Sequence, residues 1–237
     1  MLRLHGGVES TISRAAQAAL IRDPYRGRVR VRRFTRSELA THWVLALSVL
    51  TMIATGLALG INIYHSAVFP IHVGSVFALA AGLVLIAVAG NRRALASSAR
   101  DLRTIDDDDR RWFAWAPRAA LRLGGDPPPV GRFNAGQKAN AILTTLFLST
   151  VTASGLYLWA KVHGLVSNSN IDGAVHNLSA AAIIVLVSGH LYMAVLNPAT
   201  RAALGGIVTG RVDAEWAADH HPAWTPDEPP EEGLIRP

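Results

Sequence analysis

Residues 173–200, GAVHNLSAAAIIVLVSGHLYMAVLNPAT, contain no Asp, Glu, Lys or Arg and carry two histidines, His176 and His190, fourteen residues apart. At about 3.6 residues per turn this interval is close to four full turns. Both imidazoles therefore fall on nearly the same helix face, about 21 Å apart along the axis. A spanning helix needs about 20 apolar residues, so the stretch is long enough to cross a bilayer with one ligand-capable side chain near each end.

Two further stretches are uncharged in the same way, 39–91 and 139–160. The first is long enough for two spans, and Asn62, Tyr64, His65 and especially Pro70 mark the break, because proline favours a turn followed by a helix start. Four spans are predicted, at about 39–60, 70–90, 139–160 and 174–196. The 237-residue chain is 50% hydrophobic and only 17% charged, with mean hydropathy +0.26. A soluble helical protein with four such buried helices would have too little polar sequence left to cover them. The expected organisation is an N-terminal extension at 1–37, a four-helix membrane domain at 38–200 with a polar loop at 91–138, and a C-terminal tail at 201–237.

Of the 23 Lys and Arg residues, nine precede the first span, ten lie between the second and third and three follow the fourth, whereas the remaining two loops hold Lys161 alone. By the positive-inside rule both termini and the long loop are cytoplasmic in a multi-pass protein of the cell inner (cytoplasmic) membrane. The net charge of +6 and pI near 10.4 then mark topology beside anionic lipid. No basic module with interleaved aromatics stands apart from the membrane edges, so no nucleic-acid partner is expected.

The polar segments carry weaker signals. Arg32, Arg33 and Phe34 loosely resemble a twin-arginine export signal, but no small-residue cleavage pattern follows; 1–37 is read as a mobile extension. In the middle loop Asp106–Asp109 precede Arg110, Arg111, Trp112 and Trp115. A short interfacial helix with tryptophans at headgroup level and a solvated acidic run fits better than a metal site, since adjacent carboxylates on a helix point apart. Asp126 and Pro127–Pro129 predict a stiff turn, and the chain's acidic, proline-rich ending looks unstructured.

Ligand-capable side chains within a bilayer are costly and default to functional candidates facing the bundle interior. Four qualify: His42, His72, His176 and His190. The alternation of spans puts His42 level with His190 near the cytoplasmic face, and His72 level with His176 near the outer face. A single His at a membrane boundary is more often an interfacial or hydrogen-bonded side chain, and His65 and His163 are read that way. His220 and His221, adjacent in the tail, are read as surface or partner contacts. Zinc usually takes three or four protein ligands, whereas haem iron needs two axial ones, and the space between helices commonly holds it. With no cysteine in the chain, thioether-linked haem and thiolate-bound iron–sulfur clusters are excluded. The expected fold class is an all-α integral membrane protein, a four-transmembrane-helix bundle holding two b-type haems between helices, each bis-histidine ligated. Gly56, Gly74, Gly155 and Gly189 could clear space for a macrocycle or a neighbouring helix. The segments TMIATGLAL (51–59) and TVTASGLYL (150–158) echo one another, which helix packing explains as readily as haem clearance.

His42-Trp43 with Thr55-Gly56-Leu57 further along, the run Gly131-Arg132-Phe133-Asn134-Ala135-Gly136-Gln137-Lys138, Gly189-His190-Leu191-Tyr192-Met193-Ala194 and the tail WAADHHPAW (216–224) together resemble the gamma (cytochrome b556) subunit of membrane-bound respiratory formate dehydrogenase, over about residues 30–225. The resemblance implies that His72 and His176 ligate an outer haem b and His42 and His190 an inner one. It also implies that Asn134, Gly136 and Gln137, with His190, line a site for quinone, menaquinone or ubiquinone, near the cytoplasmic face. An iron–sulfur beta subunit and a molybdenum or tungsten catalytic alpha subunit are the implied partners; formate chemistry itself would lie with the latter. Asn134 and Gln137 also read as a helix-capping box, and both roles can coexist. Two other readings stay open: a cytochrome b serving a hydrogenase, a thiosulfate-type reductase or a stand-alone b561 oxidase, and a haem-free transporter. The second lacks a repeated broken helix.

Overall fold

The computed structural model describes residues 29–61, 63, 66–166 and 172–226. Readings placed on 1–28, on Asn62, Tyr64 and His65, and on 227–237 lie outside the described residues. Four helices are long and apolar enough to cross a membrane. α1 (Arg36–Gly60) and α2 (Val68–Ala89) form one hairpin, and α5 (Ala135–Val162) and α6 (Asp172–Leu191) form the other. Between the hairpins lie α3 (Arg92–Arg103) and α4 (Asp107–Ala120). After α6 come a π turn (Tyr192–Leu196), a short 3-10 turn, α7 (Leu204–Thr209), strand β2 (Arg211–Asp213) and α8 (Ala214–His220); strand β1 (Arg30–Arg32) precedes α1.

Several helix starts have a local cause. Thr35 caps α1 and Glu38 reaches back to the Thr35 amide at 2.7 Å. Asp106 and Asp109 make the same reciprocal box at α4, as do Asn134 and Gln137 at α5. α2 begins at Val68, two residues before Pro70, which is tolerated in the first turn because its missing N–H would have no helical partner there. α5 starts four residues earlier than the charge-free stretch, because the capping box, and not hydropathy, sets its first turn.

The hairpins pack internally yet hardly approach one another along the spans. At most 11% of the apolar stretch of any of the four helices is buried within the protein. The densely packed region is at one end, where the polar segments meet. There β1 pairs antiparallel with β2, with Val31 opposite Val212, and these two with Ala217, Trp216 and Trp224 make a small core. Gly210 closes α7 at φ +79°, and a Cβ there would lie 2.7 Å from the Phe34 carbonyl oxygen; only glycine fits both conditions. Arg33 and Arg132 each donate to the other's backbone carbonyl, at 2.7 and 2.6 Å. Arg132 also binds Glu38 at 2.5 Å and Ser98 at 2.9 Å, and Ser98 donates to the same carboxylate.

This cap corrects three expectations. Residues 29–37 are built into it, as parts of its ribbon and the start of α1, so they are not a mobile extension, and residues 201–226 of the tail pack in it as helices, strand and turns. His221 is 4% exposed and donates through Nδ1 to the Gly131 carbonyl at 2.7 Å, while His220 stays on the surface, stacked on Trp216. The acidic run is only partly solvated: Asp107 and Asp108 pair with Arg110 and Arg111, but buried Asp109 binds buried Lys138 at 2.5 Å and so ties α4 to α5.

Removing one partner of a buried ion pair leaves an uncompensated charge, at a cost of about 3 kcal/mol or more. Lys138→Met should therefore lower the thermal stability of the detergent-solubilised protein by about that amount, and an unchanged melting temperature would show that the pair does not hold the cap. Burial, then the neighbouring Arg33 charge, pushes the His221 imidazole down to about 4 from an ordinary value near 6.5. The ring is neutral in the closed cap and takes up a proton on opening, so its stabilising contribution is complete above about pH 6.5 and is lost as the pH falls through about 4. Cap opening, followed by Trp216 and Trp224 fluorescence, should become easier over that interval, and His221→Gln should flatten the dependence.

Candidate dihistidine sites between the helices

The slot between the hairpins is lined by imidazoles at two depths. His42 of α1 faces His190 of α6 with ring centres 6.2 Å apart, and His72 of α2 faces His176 of α6 at 6.4 Å. The structure thus brings together the pairs that span alternation predicts. A metal–imidazole bond of about 2.0 Å on each side, with about 1.1 Å from nitrogen to ring centre, separates two ring centres by about 6 Å. Each pair can hold one metal ion between its rings. Among the described residues no group of three His, Cys, Asp or Glu side chains could bind a metal, so the fitting metal is one that carries its remaining ligands with it.

At the end away from the cap, the His72–His176 pair opens into a cavity of about 620 Å³, walled by apolar side chains such as Met52, Val151 and Trp159. This size and lining suit a large planar cofactor. Two glycines shape it: a Cβ on Gly56 would sit 3.3 Å from His72 Cε1, and one on Gly155 would sit 3.0 Å from His176 Cε1. Gly74 and Gly189, also considered from sequence, have nothing within 4 Å of the Cβ position. The residues present fit haem: two opposed imidazoles, glycine clearance beside each, and an apolar slot that the helices do not fill themselves.

The ring orientations at this level are fixed by the helix preceding each histidine. His176 Nδ1 lies 3.0 Å from the Val151 carbonyl, which only accepts, so Nδ1 carries the proton and Nε2 keeps its lone pair. Thr55 Oγ1 donates to the Thr51 carbonyl at 2.7 Å and so accepts from His72 Nδ1 at 2.9 Å, leaving Nε2 of that ring free as well. Ser154, the counterpart of Thr55, donates to Thr150 at 2.8 Å and lies 3.4 Å from His176 Nδ1. Thr55, Val151 and Ser154 were missed as functional candidates. The signal was the echo between 51–59 and 150–158, which puts a hydroxyl and then a glycine at the same place in each hairpin.

At the capped end, Asn134 Oδ1 accepts from the Gln137 amide at 2.8 Å and Gln137 Oε1 accepts from the Asn134 amide at 3.0 Å. Both carboxamide oxygens are used in capping, and both NH₂ groups remain as donors. Gly136 packs under Trp112, where a Cβ would lie 3.0 Å from the indole. His163 caps α5 at the opposite end, donating to the Trp159 carbonyl at 2.8 Å with its ring tilted against the Trp159 indole at 4.6 Å, and does not itself line the cavity.

Comparison with known proteins bears on what this scaffold is. The cytochrome b556(fdo) subunit of formate dehydrogenase from Escherichia coli K12 is 31% identical over 98 residues, covering 40% of this chain and 45% of that protein. The nitrate-inducible formate dehydrogenase cytochrome b556(Fdn) subunit of the same strain is 31% identical over 100 residues, covering 40% and 44%. The formate dehydrogenase cytochrome b556 subunit of Haemophilus influenzae is 29% identical over 120 residues, covering 48% and 49%. The chain thus spans less than half the length of each relative it matches. A family-wide match is broader: the sequence model described as prokaryotic cytochrome b561 covers residues 33–210. With four membrane-length helices and histidines paired between them, the chain belongs to the prokaryotic cytochrome b561 family.

Proposed function

We propose that this chain is the membrane cytochrome b subunit of a respiratory formate dehydrogenase, with two bis-histidine b haems and quinone as the electron acceptor. The observation that carries the reading is the pair of 6.2 and 6.4 Å imidazole separations at two depths of one slot. The likeness to formate dehydrogenase cytochrome subunits supports the choice of complex. An iron–sulfur subunit and a molybdenum or tungsten catalytic subunit are the partners this implies.

His72 and His176 would hold the outer haem, and His42 and His190 the inner one. Bound there, haem iron would supply reversible one-electron transfer at two depths of the membrane. α6 contributes a ligand to each level and so fixes their separation. The basic residues gathered at the capped end support a cytoplasmic position for that end in the inner membrane, with the 620 Å³ cavity facing outward. The Asn134 and Gln137 NH₂ groups are donors suited to quinone carbonyls, and their position at the membrane edge leaves a short path for protons from water. Gly136 sets α5 against Trp112 and so positions both amides.

A second reading keeps the two haems and changes the electron donor, to a hydrogenase or a thiosulfate-type reductase. It is favoured by the wider reach of the family match, 33–210, than of the stretches shared with formate dehydrogenase subunits.

A dithionite-reduced difference spectrum of the purified chain should show a b-type alpha band and iron near two per chain; absence of either removes the two-haem model. His176→Ala should abolish the outer haem and spare the inner one, and joint retention of both would remove His176 from the ligand set. Gln137→Ala should slow quinone-coupled turnover by about tenfold or more with both haems retained, since a lost charge-free hydrogen bond is worth about 1 kcal/mol and an unpaired carbonyl costs more. Formate reducing the haems of native membranes separates the first reading from the second.

A further inference from the structure

The two imidazole pairs differ in what stands behind them. In the outer pair both rings are braced, His72 by the Thr55 hydroxyl at 2.9 Å and the Met52 backbone carbonyl, and His176 by the Val151 carbonyl at 3.0 Å with the Ser154 hydroxyl at 3.4 Å. In the inner pair neither His42 nor His190 makes a ring hydrogen bond among the described residues, and their aromatic contacts are each other and, for His42, Trp43. An N–H···O bond on the far nitrogen pushes electron density through the ring and makes the near nitrogen a stronger donor to a metal. Stronger donation favours the oxidised metal and lowers its reduction potential.

We infer that Thr55 is a positioning residue that sets the outer centre below the inner one in potential, so that the ring braces on α1 and α5 give electron transfer its inward direction. The inference rests on the two-haem reading above. Three features support assigning the role to Thr55 beyond simple helix packing. Its hydroxyl proton is already committed to the Thr51 carbonyl, so its lone pair points to His72. Gly56 beside it leaves room for the ring to lie against α1, with the Cβ position 3.3 Å from His72 Cε1. The same hydroxyl–glycine order recurs at Ser154 and Gly155 behind His176, so the device occurs once per hairpin. Because the Met52 carbonyl behind His72 and the Val151 carbonyl behind His176 are backbone, the Thr55 and Ser154 hydroxyls are the braces that substitution can remove, and Thr55 is the closer to its ring, at 2.9 against 3.4 Å.

The test is redox potentiometry with low-temperature EPR on the purified native complex, comparing wild type, Thr55→Val, Thr55→Ser and Ser154→Ala. The outer signals are identified by their loss in His176→Ala. Thr55→Val should raise the outer midpoint by about a tenfold change in the one-electron equilibrium, about 59 mV, and shift the outer low-spin signal, while the inner centre stays fixed. Thr55→Ser, which keeps the hydroxyl, should behave as wild type. Ser154→Ala should give a smaller rise, because its hydroxyl lies farther from its ring than that of Thr55. If Thr55→Val cannot hold its outer haem, Thr55→Ala, which removes the hydroxyl and leaves more room at the ring, decides, and an unmoved outer midpoint there overturns the inference. An unmoved outer midpoint in a Thr55→Val protein with both haems overturns the inference alone, whereas a wild type without bis-histidine haem overturns the two-haem reading beneath it.

Discussion

A helix in lipid gains nothing from turning an apolar face inward, because acyl chains are as apolar as leucine. Two hairpins of the kind formed by α1–α2 and α5–α6 therefore have no hydrophobic reason to close on one another, and along the spans they scarcely do. What relates them is mainly polar, the cap at one end and the facing imidazoles at two depths, with the edge-on Phe77–Trp159 contact beside the outer pair. The result is a membrane domain with an imidazole-lined slot, and not a packed core, between its two hairpins.

The cap meets the opposite problem, since it brings charge out of water. Arg33 is 3% exposed and sits beside Arg132, and the buried acid Glu38 binds Arg132. Burial, then the Arg132 charge, lowers the Arg33 guanidinium to about 10 from 12.5. The Phe34 and Trp216 rings, 5.3 and 5.6 Å from that guanidinium, supply the negative π faces that a second carboxylate would otherwise have to provide. The reciprocal Arg33–Arg132 carbonyl bonds join the start of the first hairpin to the start of the second. Fixing these two starts fixes the width of the slot where His42 meets His190.

Elements governed by local pattern were legible in the sequence. Charge-free length gave the four spans, and their alternation gave the depth partners His42 with His190 and His72 with His176. The Asn134–Gln137 capping box follows from three-residue spacing alone. The cap was not legible, because the pairing of Val31 with Val212 joins residues near opposite ends of the chain and nothing in either tripeptide announces the other. His221 looked like a surface residue for the same reason; its burial depends on Gly131 and Arg33, which are distant in sequence. Thr55 and Ser154 lay in a repeated segment that sequence could detect but could not aim, since the side chain each would meet sits on the following helix at a different interval.

The π turn at Tyr192–Leu196 begins two residues after His190. From His176 to His190 the helix keeps uninterrupted α geometry, so the angular phase of the two rings is locked like marks on a rigid ruler. A π turn accommodates an extra residue without breaking the helix. Placed just beyond the second mark, it acts as a slip joint: the chain can be re-phased to meet α7 and the cap without any of that rotation reaching the section that carries the two histidines. Changes of length in the connection to the cap are thereby kept from altering where the two imidazoles point.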